Sequence, residues 1–343
     1  MRAAVLRAQA PIETAPLQIE MVPSPPMGPG DILQRVEACA CCRTDLHVIE
    51  GDLPASKRPV IPGHQVVGRV MDTGRSVSGF SEGDRVGIAW LRHVDGTCRF
   101  CRSGRENLCP NARFTGYTDD GGYAEMAAVS AEFAYRVPDD LPATQVAPLL
   151  CAGIIGYRAL KRSEIRPGGR LGLFGFGASA HVSIQVARHW GCDVYVLTRG
   201  ERHRSLAQEM GACWVGDATD PPPKRLDGAI LFAPAGDLVP VALQALDRGG
   251  TLALAGIHLS DIPGLVYERD LFYERSVRSV TANTREDGCE LLRLAKEIPI
   301  RSRVETFDLD RVNEALQAVK AGRIQGSAVI DLSENDHTTK SEG

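Results

Sequence analysis

Residues 170–174, Arg-Leu-Gly-Leu-Phe, run directly into Gly175-Phe176-Gly177-Ala178-Ser179-Ala180, and an apolar-patterned segment follows as far as Trp190. A short apolar run, closely spaced glycines and then a helical period read as strand, tight turn and helix. Similar units follow, with strands expected at 193–198, 228–232 and 251–255 and a helix at 204–210. Strands alternating with helices form parallel βαβ units, so residues 153–283 are expected to make a doubly wound parallel sheet of the Rossmann type. In that setting G-x-G-x-x-A is the dinucleotide fingerprint: Gly175 and Gly177 let the backbone approach a pyrophosphate, and Ala180 lies where the helix begins. The motif by itself also fits an ordinary βα turn; the lengths of the next strand and helix favour a cofactor site.

The chain has 343 residues, more than one compact core usually absorbs, so two domains are expected. A formal charge of −4, with basic residues scattered, gives no sign of nucleic-acid or membrane attraction. The first residues lack an apolar core of signal-peptide length, and the expected location is cytoplasmic. Ten cysteines in such a chain favour metal ligation over disulfides. Of these, Cys192, Cys213 and Cys289 are expected to be small buried apolar residues.

Up to about residue 150 the texture is Gly- and Pro-rich with short β-branched runs at 32–38, 66–72 and 85–89, which reads as an irregular, mostly β domain. The last part predicts a helix from about residue 289, a strand near Val304, a helix over 312–321 and a strand over 328–332. The polar end, 333–343, is expected to fray.

The metal chemistry is written in Cys42-Arg43-Thr44-Asp45-Leu46-His47, Gly63-His64-Gln65 and Cys151. Two thiolates and one imidazole leave a fourth position open, as in a catalytic zinc site. Cys98, Cys101 and Cys109 have the spacing of a structural zinc lobe. At the end of the second nucleotide-domain strand, where a carboxylate would bond ribose hydroxyls, stands Thr198, followed by Arg199, Arg202, His203 and Arg204. A missing carboxylate beside several cations favours a 2′-phosphate and hence NADP(H); the alternative is a solvated basic helix entry.

Together these residues resemble the zinc-dependent alcohol dehydrogenases of the medium-chain dehydrogenase/reductase family, closest to the bacterial and cinnamyl-alcohol-type branch. The resemblance runs from the Cys42 segment through Gly121-Gly-Tyr-Ala-Glu125 and the glycine turn to Lys320-Ala-Gly322. It implies an α/β fold: a GroES-like distorted β-barrel catalytic domain (1–152 and 284–343) with the Rossmann domain (153–283) inserted. By position, Cys42, His64 and Cys151 would hold the catalytic zinc. Thr44 and His47 would relay the proton, Asp45 would orient His64, and Arg43 would lie against the pyrophosphate. Asp95 occupies the place of the first lobe cysteine and could complete an Asp95, Cys98, Cys101, Cys109 structural site, giving two zinc ions per chain; water at that position or an empty lobe are the alternatives. Leu53 and Trp90 would line the substrate pocket, Ile257 would close the nicotinamide side, and core packing competes as the role of Leu53.

Two further departures stand out. The usual Gly-His-Glu reads Gly63-His64-Gln65, and the usual Gly-Arg before the last strand reads Gly326-Ser327. The implied activity is reversible hydride transfer between primary alcohols or aldehydes, medium-length or aromatic, and NADP(H), in a homodimer or homotetramer. An NAD-dependent or polyol-directed dehydrogenase is the alternative, and a non-catalytic zinc- and nucleotide-binding protein is disfavoured by the intact relay residues.

Overall fold

The computed structural model describes residues 1–298 and 300–333. The frayed end expected from 333 onward therefore falls, beyond Ser333, outside the described residues. Two compact units emerge. One contains Met1–Cys151, Asn283–Arg293 and the residues from Ser302 onward; the other contains Ala152–Ala282 with Leu294–Arg301.

The first unit is built on a seven-stranded sheet. Val304–Phe307, Ser327–Asp331, Asp31–Cys41, Val66–Thr73, Arg85–Ile88 and Ala134–Arg136 are neighbours in that order, and Met126–Ser130 also pairs with Asp31–Cys41. The long strand Asp31–Cys41 organises it. Ile32, Gln34 and Val36 alternate inward, as period two requires when one face meets a core. Its far end takes the strand Ser327–Asp331 antiparallel, Cys41 opposite Ala328 and Cys39 opposite Ile330, so this late segment returns to the first sheet. The core under the sheet includes Ile32, Val66, Ile88, Tyr123 and Leu316.

The second unit carries a six-stranded parallel sheet with spatial order Trp214–Gly216, Asp193–Leu197, Arg170–Phe174, Leu226–Leu231, Leu246–Leu254, Ser276–Ser279. Counted along the chain from Arg170–Phe174 this order is 3-2-1-4-5-6, the doubly wound arrangement whose ligand crevice lies at the carboxyl ends of the strands. Its central strands Arg170–Phe174, Asp193–Leu197 and Leu226–Leu231 are almost wholly buried, which is why they read as apolar runs rather than alternations. The outer strands Trp214–Gly216 and Ser276–Ser279 carry no such run, and the sequence reading passed over both.

Two cysteine expectations are corrected. Cys192 is buried, but Cys213 and Cys289 are exposed. Cys213 lies just before the short edge strand Trp214–Gly216, where little covers it. Cys289 falls between the buried positions of the helix Arg285–Glu297: Gly288, Leu291, Leu292 and Ala295 face inward at helical spacing, while Cys289 and Arg293 face out. Among the described residues no single helix is long and apolar enough to cross a membrane.

Candidate metal and active site

Cys42 is the N-cap of the helix Arg43–Glu50. Its extended backbone leaves the Sγ free to accept from the Thr44 N–H at 3.4 Å, while Asp45 Oδ2 accepts from the Cys42 N–H at 2.8 Å. The same carboxylate turns its other oxygen to His64, Oδ1 to Nδ1 at 3.0 Å. With Nδ1 bonded to an acceptor, the neutral ring presents its lone pair at Nε2, and Nε2 lies 3.4 Å from Cys42 Sγ.

His64 reaches this place because Gly63 precedes it. Gly63 has φ +93°, and a Cβ there would come within 2.7 Å of the Tyr123 ring and 2.9 Å of Cys39 Sγ. Only glycine tolerates both the left-handed backbone and the close approach.

Cys151 completes the group: one donor atom each from Cys42, His64 and Cys151 lies within 4.8 Å of the others. A hydrogen bond from Cys151, opposed by burial and assisted by His64, holds the Cys42 thiol down at about 5. Burial pushes His64 down, but Asp45 and Cys42 outweigh it and carry the metal-free ring up to about 10, so a metal at Nε2 takes the place of a proton there. Two soft sulfurs and an oriented imidazole nitrogen, converging in a buried pocket, are a donor set suited to zinc. The neighbouring thiols Cys39 and Cys41 are buried and raised well above the ordinary range, first by desolvation. Gln65 is also buried and donates to the Ala40 carbonyl at 3.2 Å.

A second donor cluster joins Asp95, Cys98, Cys101 and Cys109, again with donor atoms within 4.8 Å of one another. Asp95 Oδ1 accepts from the Thr97 and Cys98 N–H groups at 2.9 and 2.8 Å, and Oδ2 accepts from Asn111 Nδ2 at 2.9 Å. These bonds hold the carboxyl well below its usual range. Cys98 and Cys101 sulfurs are 3.5 Å apart, so three thiols and a carboxylate that stays ionised form a tetradentate set.

In the second unit, Gly175 closes the strand and Gly177 caps the twelve-residue helix Ala178–His189, with Ala180 fully buried. A Cβ built at Gly177 meets nothing within 4 Å, so the helix N-terminus opens on free space, a fit for a pyrophosphate. Thr198 is buried and its N–H bonds the Gly216 carbonyl at 3.1 Å. Arg199 and Arg202 are exposed. Arg204 is paired with Asp217 and Glu201, both at 3.2 Å.

Of the remaining predicted residues, Arg43 is exposed at the start of its helix and Thr44 is buried beside Cys42. Trp90 meets His64 edge to face, with centroids 4.9 Å apart. It also stacks with Phe114 at 5.0 Å and Tyr117 at 6.0 Å. Phe114 and Tyr117 have no local signature of a pocket wall: they reach Trp90 through the pairing of Leu91 with Phe114 and the Thr115 N–H bond to the Trp90 carbonyl at 2.9 Å. Leu53 is half-buried against the first unit's core, and Tyr117 Oη donates to the adjacent Pro54 carbonyl at 2.8 Å. Ile257 is exposed in the loop after Leu246–Leu254. Ser327 is buried, with its N–H on the Arg303 carbonyl at 2.9 Å.

Residues 28–139 match the alcohol dehydrogenase GroES-like domain and residues 178–297 the zinc-binding dehydrogenase domain. "Probable alcohol dehydrogenase AdhA" of Mycobacterium tuberculosis is 52% identical over 335 residues, covering 96% of this chain and 97% of that one. A cinnamyl alcohol dehydrogenase from Sorghum bicolor superposes with TM-score 0.87 at 28% identity, over 96% of this chain and 98% of that one. An acetophenone reductase from Geotrichum candidum, solved with NAD, does so with TM-score 0.86 at 25% identity, over 97% and 98%. The chain belongs to the zinc-dependent alcohol dehydrogenases of the medium-chain dehydrogenase/reductase family. It is, accordingly, an oxidoreductase with alcohol dehydrogenase activity.

Proposed function

We propose that this alcohol dehydrogenase interconverts primary alcohols and aldehydes, aromatic or of medium length, with NADP(H) as hydride partner. The observation that carries the reading is the convergence of Cys42, His64 and Cys151 with Asp45 behind the imidazole. Zinc on these three residues supplies a Lewis acid that acidifies an alcohol hydroxyl and polarises an aldehyde carbonyl. Asp45 keeps the His64 ring turned toward Cys42, and the helix it caps carries both relay groups. Thr44 takes up the hydroxyl proton beside Cys42, and His47, with a side chain 16% exposed, passes it toward solvent. The Trp90, Phe114 and Tyr117 stack next to His64 supports an aromatic or extended apolar substrate over a very small one. Arg43 contacts the cofactor pyrophosphate, and Asp95, Cys98, Cys101 and Cys109 hold a second, structural zinc.

The absence of a carboxylate at Thr198, with Arg199 exposed next to it, supports NADP(H). One observation favours NAD(H) instead: Asp217 and Glu201 already occupy the Arg204 guanidinium, so the preference falls on Arg199. Apolar residues exposed at Ile262, Val266, Tyr267, Phe272 and Tyr273, just before the edge strand Ser276–Ser279, support a second copy of the chain as their cover.

The test is turnover of a panel of aliphatic and aromatic alcohols and polyols with NADP and NAD in parallel, on protein of measured zinc content. Aromatic primary alcohols with NADP should give the highest kcat/KM, and Arg199→Ala should lose roughly tenfold with NADP and little with NAD. A tenfold preference for NAD, or for polyols, overturns the corresponding part.

A further inference from the structure

Two of the three thiols in the Asp95 lobe lie near the surface. Cys98 and Cys101 are half-buried, whereas Cys109 is buried. The turn around the first two is open, with Gly96, Thr97, Arg99 and residues 102–105 exposed, so a small oxidant reaches both sulfurs. Those sulfurs are 3.5 Å apart, and the Cys101 N–H donates to Cys98 Sγ, also at 3.5 Å, which keeps the pair facing each other. A disulfide needs about 2 Å between its sulfurs, an approach that side-chain rotation in such a turn supplies. The fourth donor is a carboxylate and cannot join a disulfide. Asp95 also has partners of its own in the Thr97 and Cys98 N–H groups and in Asn111 Nδ2. The far side of the lobe is fastened separately, for Glu106 accepts from the Arg285 N–H and Nη2 at 2.8 and 2.6 Å. The lobe therefore keeps bonds that do not pass through a metal.

We propose that Cys98 and Cys101 form an oxidation site for hydroperoxides, and that closing their disulfide expels the zinc of this lobe. The proposal rests on the reading of the lobe as a zinc site. One thiolate attacks the O–O bond of the hydroperoxide; its sulfur takes up one oxygen as a sulfenic acid, and the other oxygen leaves as an alkoxide that water protonates to the alcohol. The second thiolate then attacks the sulfenyl sulfur. The S–S bond forms, the S–O bond breaks, and the hydroxide leaves as water after taking a proton. The two thiolates have lost two electrons and the hydroperoxide has gained them. Of the four donors only Cys109 and Asp95 then remain, one soft and one hard, which is too few for a tetrahedral zinc site. Because the Asp95 and Glu106 bonds persist, a thiol reductant and fresh zinc rebuild the site.

The experiment titrates the zinc-loaded full chain with tert-butyl hydroperoxide. Released zinc is followed with a chromophoric chelator, and the remaining thiols are alkylated and mapped by peptide mass spectrometry. The chain should fall from two zinc ions to one, with a Cys98–Cys101 disulfide as the first cross-link while Cys42 and Cys151 can still be alkylated. Dithiothreitol with added zinc should return the second ion. In Asp95→Cys, where a fourth soft donor leaves two thiolates after the disulfide closes, release should slow at least about threefold. A first cross-link at Cys109 or between Cys42 and Cys151, or a Cys98–Cys101 disulfide with both ions retained, overturns the proposal. Release as fast from Asp95→Cys as from the parent overturns the part given to Asp95. Fewer than two zinc ions before the oxidant is added overturns the zinc reading of the lobe, and the expulsion with it.

Discussion

Asp45 joins the two donors Cys42 and His64 through one side chain, for its Oδ1 stands 3.0 Å from His64 Nδ1 while Oδ2 holds the Cys42 N–H at 2.8 Å. A helix cap and an imidazole orienter are the same carboxylate, so the metal pocket is tied to the backbone of the helix that carries Thr44 and His47.

Asp45→Asn keeps the shape but removes the charge that steadies the ring. Zinc affinity at the Cys42, His64, Cys151 site should fall at least about tenfold, measured by competition with a chromophoric chelator. Affinity equal to that of the parent protein would remove Asp45 from the account of the site.

Gly63→Ala places a methyl 2.7 Å from the Tyr123 ring and forces a side chain into the left-handed region. Destabilisation of roughly 2 kcal/mol or more is expected in denaturant unfolding, with zinc absent as well as present. A change below about 0.5 kcal/mol would mean that the neighbouring backbone relaxes around it.

The Asp95 cluster gives a count. Native mass spectrometry should find two zinc ions in the parent chain and one in Asp95→Ala, whereas Asp95→Cys should keep both. Two ions retained in Asp95→Ala would show that three thiols suffice.

A pH effect on stability is expected from the second unit. Arg170 donates to Asp227 through Nη2 at 2.7 Å, Nε at 3.1 Å and its own N–H at 2.8 Å, joining two adjacent strands at their entry ends. The Arg170 side chain, opposed by partial burial, holds the Asp227 carboxyl below its ordinary value of 3.8. A depressed folded value means that the stabilisation is complete above the unfolded value and is lost as pH falls through the folded one. Asp227→Asn should therefore cost up to about 1 kcal/mol at neutral pH, a figure already limited by exposure, and the difference should shrink progressively as pH falls below the ordinary carboxylate range. A cost that does not change with pH would assign the effect to packing.

The strand Arg170–Phe174 was legible to the residue because a wholly buried parallel strand leaves an unbroken apolar run ended by glycine. The outer strands Trp214–Gly216 and Ser276–Ser279 were not, because edges are only partly covered and need no such run. Cys213 and Cys289 show the same limit, since residue type sets a preference for burial and the neighbours decide it. In the site, Cys42, His64 and Cys151 could be read as candidate ligands, because donor chemistry belongs to the side chain itself. Phe114 and Tyr117 carried no signal, for an aromatic residue becomes part of a wall only when a strand pairing brings it to Trp90.

The sequence by itself determined the kinds of donor, the glycine turn and the alternation that makes a parallel sheet, because each depends on local covalent chemistry and period. Only the tertiary structure decided that Asp45 serves both Cys42 and His64, that Arg204 is taken up by Asp217 and Glu201, and that Asp52 folds back onto His47. Those are matters of distance and direction, and a hydrogen bond exists only where the folded backbone brings donor and acceptor within about 3 Å of each other.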